Sequence, residues 1–224
     1  MKIFILGWIT GLFLNKCIYK YIGDEDLSLF KNHRYYRERE SNFYLIIPVI
    51  NGLLFFLLYN NYSYPIDFMY YGFISSILLI LLLIDLKKMI IPDNLILLIF
   101  SISVIYKLFR YTNSNRGLIL LKGIGGLVLA GTLFLFIILI SKGGMGDGDV
   151  TLISVLGFIL GIKYILVNIF LSFILATIVA LILLSLKIKT RKDPIPFGPF
   201  IVISFYIVLL YGEDILNWYL IKMI

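Results

Sequence analysis

Two aspartates stand where so apolar a chain carries charge only at a cost. Asp85 ends the apolar run 74–84, and Asp149 closes the glycine-rich stretch Gly143-Gly144-Met145-Gly146-Asp147-Gly148-Asp149 between two further apolar runs. A carboxylate at hydrocarbon depth costs about 2.5–3.5 kcal/mol on insertion scales, so such residues mark functional sites by default. If the two converge, like-charge repulsion and partial desolvation leave one acid protonated and one ionised. The ionised member then takes a proton from water attacking a peptide carbonyl, and the protonated member polarises that carbonyl, which is the chemistry of aspartic proteolysis. Cys17 and His33 share one polar stretch with no third group to orient them, which argues against a cysteine mechanism. Cys17 is also the chain's single cysteine, so no internal disulfide and no cysteine-bound metal is expected; the metal expectation is none.

The surroundings of each acid differ. Asp85 is followed by Lys87 and Lys88, which mark a helix end at a membrane interface, and by Pro92, which suits the first turn of the next helix. Asp93 beside that start reads as a capping residue. At the second site the glycines allow close backbone approach, and irregular backbone at membrane depth is tolerated only beside protein or a watery cavity. Of Asp147 and Asp149, one reads as solvent-facing and ordinary. A different class, a polytopic ion or proton carrier, would use Asp85, Asp93, Asp147 and Asp149 as intramembrane carboxylates. Against it, no inverted repeat with matched interrupted helices is visible, and the acids cluster at one membrane face.

The elements that must position these residues are membrane helices. With 61% hydrophobic and 15% charged residues and a mean hydropathy of +0.99, the chain lacks the charged surface of a soluble bundle. Spanning helices need roughly 20 apolar residues each, and about eight stretches approach this: 3–20, 43–60, 67–85, 92–109, 118–141, 150–162, 164–186 and 197–213. The expected fold is all-α, one polytopic transmembrane bundle over residues 1–224. Residues 16–42 are expected as a short cytoplasmic loop and 213–224 as a tail that spans or lies at the interface. Placing the N-terminus outside puts Lys16, Lys20, Lys31, Arg34, Arg37, Arg39, Lys87, Lys88, Lys142, Lys187, Lys189, Arg191 and Lys192 inside, thirteen of the 20 Lys and Arg. That is the bias of cytoplasmic loops, with 107–122 as the discordant piece. It brings Asp85 and Asp149 to the cytoplasmic side. The net charge of +7 is read as a topology and anionic-lipid signal, with no folded basic module for nucleic acid.

At these residues the chain resembles the bacterial prepilin peptidases, the Gly-x-Gly-Asp aspartic proteases that process type IV pilin-like proteins. Gly146-Asp147-Gly148-Asp149 matches the family's second catalytic motif, within the wider Gly-Met-Gly-x-Gly-Asp form from Gly144. Asp85 before Pro92-Asp93 is similar to its first. Gly11-Leu12-Phe13-Leu14-Asn15 and Pro196-Phe197-Gly198-Pro199 resemble its opening and late segments. The resemblance implies catalytic roles for Asp85 and Asp149, and site-shaping or substrate-binding roles for Gly144, Gly146, Gly148, Pro196, Gly198 and Pro199. It implies a multi-pass protein of the bacterial inner (plasma) membrane, with its site near the cytoplasmic face. There it would cut prepilin or pseudopilin substrates after a Gly, without a cofactor for proteolysis.

The chain also departs from the family. Many relatives carry Cys-x-x-Cys pairs in the first cytoplasmic loop, associated with methylation of the product from S-adenosylmethionine. Here that loop holds Cys17 alone, and no methyl transfer is expected. Thr151 stands where Lys is frequent, and Asn51 near where an acid commonly opens the second helix.

Overall fold

The computed structural model describes residues 2–22, 33–113, 118–141, 144–190 and 193–223. All regular structure among them is helical: α1 (Lys2–Ile22), α2 (His33–Asn61), α3 (Pro65–Lys88), α4 (Asp93–Asn113), α5 (Leu118–Ser141), α6 (Asp147–Ser185) and α7 (Gly198–Met223). In five helices the stretches Pro65–Lys88, Asp93–Thr112, Leu118–Ser141, Asp147–Ser185 and Gly198–Tyr219 are long and apolar enough to cross a membrane. Shorter apolar stretches occupy Lys2–Asn15 and Ile46–Asn61. The chain divides into two compact units, Met1–Met89 and Ile90–Ile224.

Three features differ from expectation. Residues 16–22 and 33–42, expected as loop, are helical, and 23–32 lie outside the described residues. No Pro or Gly interrupts 33–47, so nothing there breaks a helix. The helix expected to stop near residue 213 carries on to Met223. The sixth and seventh apolar stretches fall within one element, α6, which is broken at Gly161 (φ 77, ψ 172). That backbone region is essentially closed to residues with a Cβ.

In the first unit α1 and α2 approach closely through small residues. A Cβ on Gly7 would stand 2.7 Å from Phe55 Cβ, and one on Gly11 would stand 2.5 Å from Pro48 Cα. Spaced four apart, these glycines form the small-residue stripe by which helices pack in a medium that offers no hydrophobic drive between them. Asn51, fully buried, ties all three helices. Its Nδ2 donates to the Gly7 carbonyl (2.7 Å) and to Thr10 Oγ1 (2.9 Å). Its Oδ1 accepts from Ser76 Oγ (3.0 Å). The Phe55–Phe68 and Tyr59–Phe68 edge contacts, each 5.7 Å between centroids, add to the α2–α3 seam.

In the second unit α5 lies along both arms of α6. Ser154 sits beside Gly131 and Gly157 against Gly126, so arm 147–160 runs antiparallel to α5. Beyond Gly161 the direction reverses, with Ile162 beside Gly125 and Phe173 beside Phe134 (6.0 Å). Arm 162–185 therefore returns along α5, and the two arms match the expected stretches 150–162 and 164–186. A Cβ on Gly126 or Gly157 would collide with the other's carbonyl oxygen. α7 packs antiparallel to the returning arm, with Phe197 beside Phe173 (5.2 Å) and the Ile201 carbonyl accepting from Asn168 Nδ2 (3.3 Å).

Candidate active site

Asp85 lies in the last turn of α3 and is 5% exposed. The helix stops where Met89 enters the left-handed region (φ 53, ψ 38), with its N–H donating to the Asp85 carbonyl oxygen. Lys87 beyond Asp85 is exposed. Pro92 then starts α4 by accepting from the N–H groups of Leu95 (3.1 Å) and Ile96 (3.4 Å). Asp93 lies exposed in the first turn of α4.

Asp149 is the third residue of α6 and is 7% exposed, while Asp147, two residues before it, is exposed. Gly146 caps the helix in extended geometry (φ −75, ψ 145), and its carbonyl accepts from the Asp149 N–H (3.1 Å). A Cβ on Gly146 would stand 3.6 Å from Asp149 Oδ2, so the carboxylate folds back along the helix start. The first-turn N–H groups of a helix lack intrahelical acceptors, and that end favours negative charge. Val150, Leu152 and Ile153 bury the flanks.

The glycines of the motif are not equivalent. Gly148 is the closely packed one, its Cβ position being 3.0 Å from Ile91 Cβ. Gly144 sits beside Ser141, whose Oγ accepts from its N–H at 3.3 Å, and Gly146 is exposed. Thr151 turns its hydroxyl back to the Gly148 carbonyl (2.9 Å).

Pro196, Gly198 and Pro199 form the entry to α7, with Gly198 and Pro199 buried. The Phe197 carbonyl accepts from the N–H groups of Phe200 (3.0 Å) and Ile201 (3.3 Å). Its ring stands among Phe134 (6.0 Å), Phe173 (5.2 Å) and Phe200 (6.3 Å). Phe197 is thus the anchor of a segment whose prolines and glycine alone were singled out from sequence, and Ile91 is the unforeseen neighbour of Gly148. Nothing in local sequence marks either, because each contact joins separate elements.

Before α7, Asp193 is joined to Thr190: its Oδ2 accepts from the Thr190 N–H (2.6 Å) and hydroxyl (2.9 Å). These bonds, the backbone one first, hold the exposed Asp193 carboxyl below its ordinary range.

Asp149 and the glycines thus share one turn of the second unit, which also holds the Pro196–Pro199 segment, while Asp85 belongs to the first. Among the described residues no three His, Cys, Asp or Glu gather as a metal-binding group. At the two motifs Asp85 and Asp149 are each buried at a helix end, and Asp67 is a third buried carboxylate, in the first turn of α3.

Residues 72–181 match the type IV leader peptidase family, and both aspartates fall inside that stretch. The chain is 33% identical to a prepilin leader peptidase/N-methyltransferase of Aeromonas hydrophila over 147 residues, which are 66% of this chain and 51% of that protein. The enzyme of the same name from Legionella pneumophila is 33% identical over 162 residues, 71% of this chain and 56% of that one. That of Bacillus subtilis is 29% identical over 146 residues, covering 65% and 56%. The chain spans about half the length of the curated relatives it matches. No solved structure matches it.

Proposed function

From its membership of the type IV leader peptidase family, carried by residues 72–181, we propose that the chain is a membrane aspartic endopeptidase that removes leader peptides from prepilin-like proteins, with Asp85 and Asp149 as its catalytic pair. The observation that carries the reading is selective burial. Of the acids at the two motifs, Asp85 and Asp149 are buried whereas Asp93 and Asp147 are exposed. The other buried carboxylate among the described residues, Asp67, lies in the first turn of α3, at the opposite end of that helix from Asp85. Burying a carboxylate is expensive unless it does something there.

In this reading Asp85 and Asp149 act as one catalytic pair. One carboxylate takes a proton from the attacking water, and the other, protonated, hydrogen-bonds the scissile carbonyl and the oxyanion that follows. The exposed Gly144 and Gly146 leave room for an extended substrate backbone beside Asp149, Gly148 shapes the site by admitting Ile91, and Pro196, Gly198 and Pro199 brace the segment that Phe197 anchors. Cleavage falls after a Gly between a basic leader and an apolar helix, at the cytoplasmic face of the bacterial inner membrane. The basic residues around 87–88 and 187–192 support that sidedness.

The relatives' names pair peptidase with N-methyltransferase. The single cysteine, Cys17, supports proteolysis without methyl transfer, and no step is routed through S-adenosylmethionine. No observation favours the carrier alternative.

Co-production of a prepilin with wild type, Asp85→Asn and Asp149→Asn tests the proposal. Both variants insert normally and leave the prepilin uncut, while Asp93→Asn still cleaves. Wild-type processing by purified Asp149→Asn in detergent would sink it.

A further inference from the structure

Lys107 stands on the discordant side of the charge pattern, yet it is no interfacial charge. It lies within the apolar stretch Asp93–Thr112 and is 8% exposed. Its ammonium is 5.2 Å from the centroid of the Phe158 ring, which also meets Phe100 edge-on at 5.3 Å. The Lys107 Nζ and the Phe158 carbonyl oxygen lie 3.1 and 3.0 Å from the one point where a Gly123 Cβ would stand. Both line the one gap that a glycine on α5 leaves open.

Phe158 belongs to the last turn of arm 147–160, which ends at the Gly161 break. The last four carbonyls of a helix have no intrahelical donor, and that end carries about half a negative charge. Inside hydrocarbon only protein groups satisfy such carbonyls. A cation from a neighbouring helix is a matching partner, and the buried Lys107 of α4 lies beside this end.

We propose that Lys107 is a positioning residue: its ammonium, passing through the gap at Gly123, caps the far end of the short helix whose first turn carries Asp149. This rests on the catalytic reading of Asp149. The arm is a rod about 21 Å long, so an axial slip at its capped end moves Asp149 by the same distance. Gly157 against Gly126 and Gly148 against Ile91 restrain it sideways, and the cap restrains it along its axis.

The test uses the full-length protein in detergent, with kcat and KM for prepilin cleavage, melting temperature and amide hydrogen exchange. Lys107→Met keeps an unbranched, flexible side chain one atom shorter and removes its charge. It speeds exchange at 157–160 over that at 165–172, and lowers kcat at unchanged KM, each by about tenfold, the scale of a partly buried cation at a helix C-terminus. Gly123→Ala displaces the amine without removing it and lowers kcat likewise. Lys107→Gln, which keeps a donor, restores part of the loss and serves if the Met variant does not accumulate. Ile165→Val, fully buried in the other arm, lowers the melting temperature without lowering kcat. Unchanged exchange at 157–160 in Lys107→Met overturns the proposal, as does a kcat loss that follows melting temperature alike in Lys107→Met and Ile165→Val. If wild type and Asp149→Asn cleave alike, the catalytic reading fails instead, and the exchange data still decide the cap.

Discussion

Adding one methyl group at Gly148 probes how the second aspartate is held. An alanine Cβ there would stand 3.0 Å from Ile91 Cβ, 3.5 Å from Cγ1 and 3.7 Å from Cδ1. The nearest atom is the branch carbon on the Ile91 backbone, which no rotamer change moves aside. Carbon pairs settle at about 3.5–4.0 Å, so one chain segment must shift by roughly 0.5 Å. Overpacking of this kind costs about 1–3 kcal/mol, and the better helix propensity of alanine returns up to about 1 kcal/mol, leaving a net loss of about 1 kcal/mol. Function suffers more than stability, because Asp149 is the next residue. A misplacement of about 1 Å can cost about a hundredfold in rate, so half of that predicts a drop in kcat of roughly tenfold. Gly146→Ala is the contrast. Its backbone geometry is open to any residue, and the added Cβ meets Asp149 Oδ2 at an ordinary 3.6 Å, so its melting temperature equals that of wild type. The assay is cleavage of purified prepilin at saturating concentration in detergent, beside a melting curve for each variant. Wild-type kcat in Gly148→Ala with an unchanged melting temperature would refute the idea that the Ile91 contact positions Asp149.

Three further outcomes are expected. Asn51→Leu removes the interhelical bonds to the Gly7 carbonyl, Thr10 and Ser76, while Thr10 and Ser76 keep their bonds to the Gly7 and Gly72 carbonyls; at about 0.6 kcal/mol for each interhelical bond, thermal melting should report a loss of about 2 kcal/mol. Gly161→Ala forces a Cβ into a backbone region held by glycine and costs about 1–3 kcal/mol, visible as faster proteolysis at the bend; wild-type resistance would contradict the reversal there. Asp193 is held below the ordinary carboxylate range by Thr190, so the stability from the Thr190–Asp193 contact is complete above the unfolded-state value and disappears as pH falls through the folded one. Exchange of the Thr190 amide should therefore stay slow at neutral pH, relative to its intrinsic rate, and lose that protection only in acid; a loss near pH 6 would contradict the assignment.

Much of the helical layout was legible because it depends on sums along single segments. Hydropathy over roughly 20 residues marks a membrane helix whatever it packs against, and the division near residue 163 fell two residues from the Gly161 break. The polar stretch 16–42 misled, since polarity was read as loop although nothing in 33–42 breaks a helix. At the candidate site, acids at the edges of apolar runs could be picked out, and the Gly-x-Gly-Asp pattern ranked Asp149 above Asp147. The unequal duties of the glycines were invisible: Gly146 and Gly148 read alike in a motif, and only Gly148 has Ile91 against it.

By itself the sequence determined the class of molecule, an apolar chain of helices with carboxylates at two helix boundaries, because insertion and helix formation are governed by local composition. Tertiary structure alone decided that Asn51 ties three helices, that α6 turns back at Gly161 along both sides of one neighbour, that Phe197 anchors the entry to α7, and that Lys107 is a buried cation rather than a loop charge. Each of these depends on which helix faces which. In a medium as apolar as the side chains themselves, that choice rests on close small-residue contacts and a few interhelical polar groups, which single-segment hydropathy does not encode.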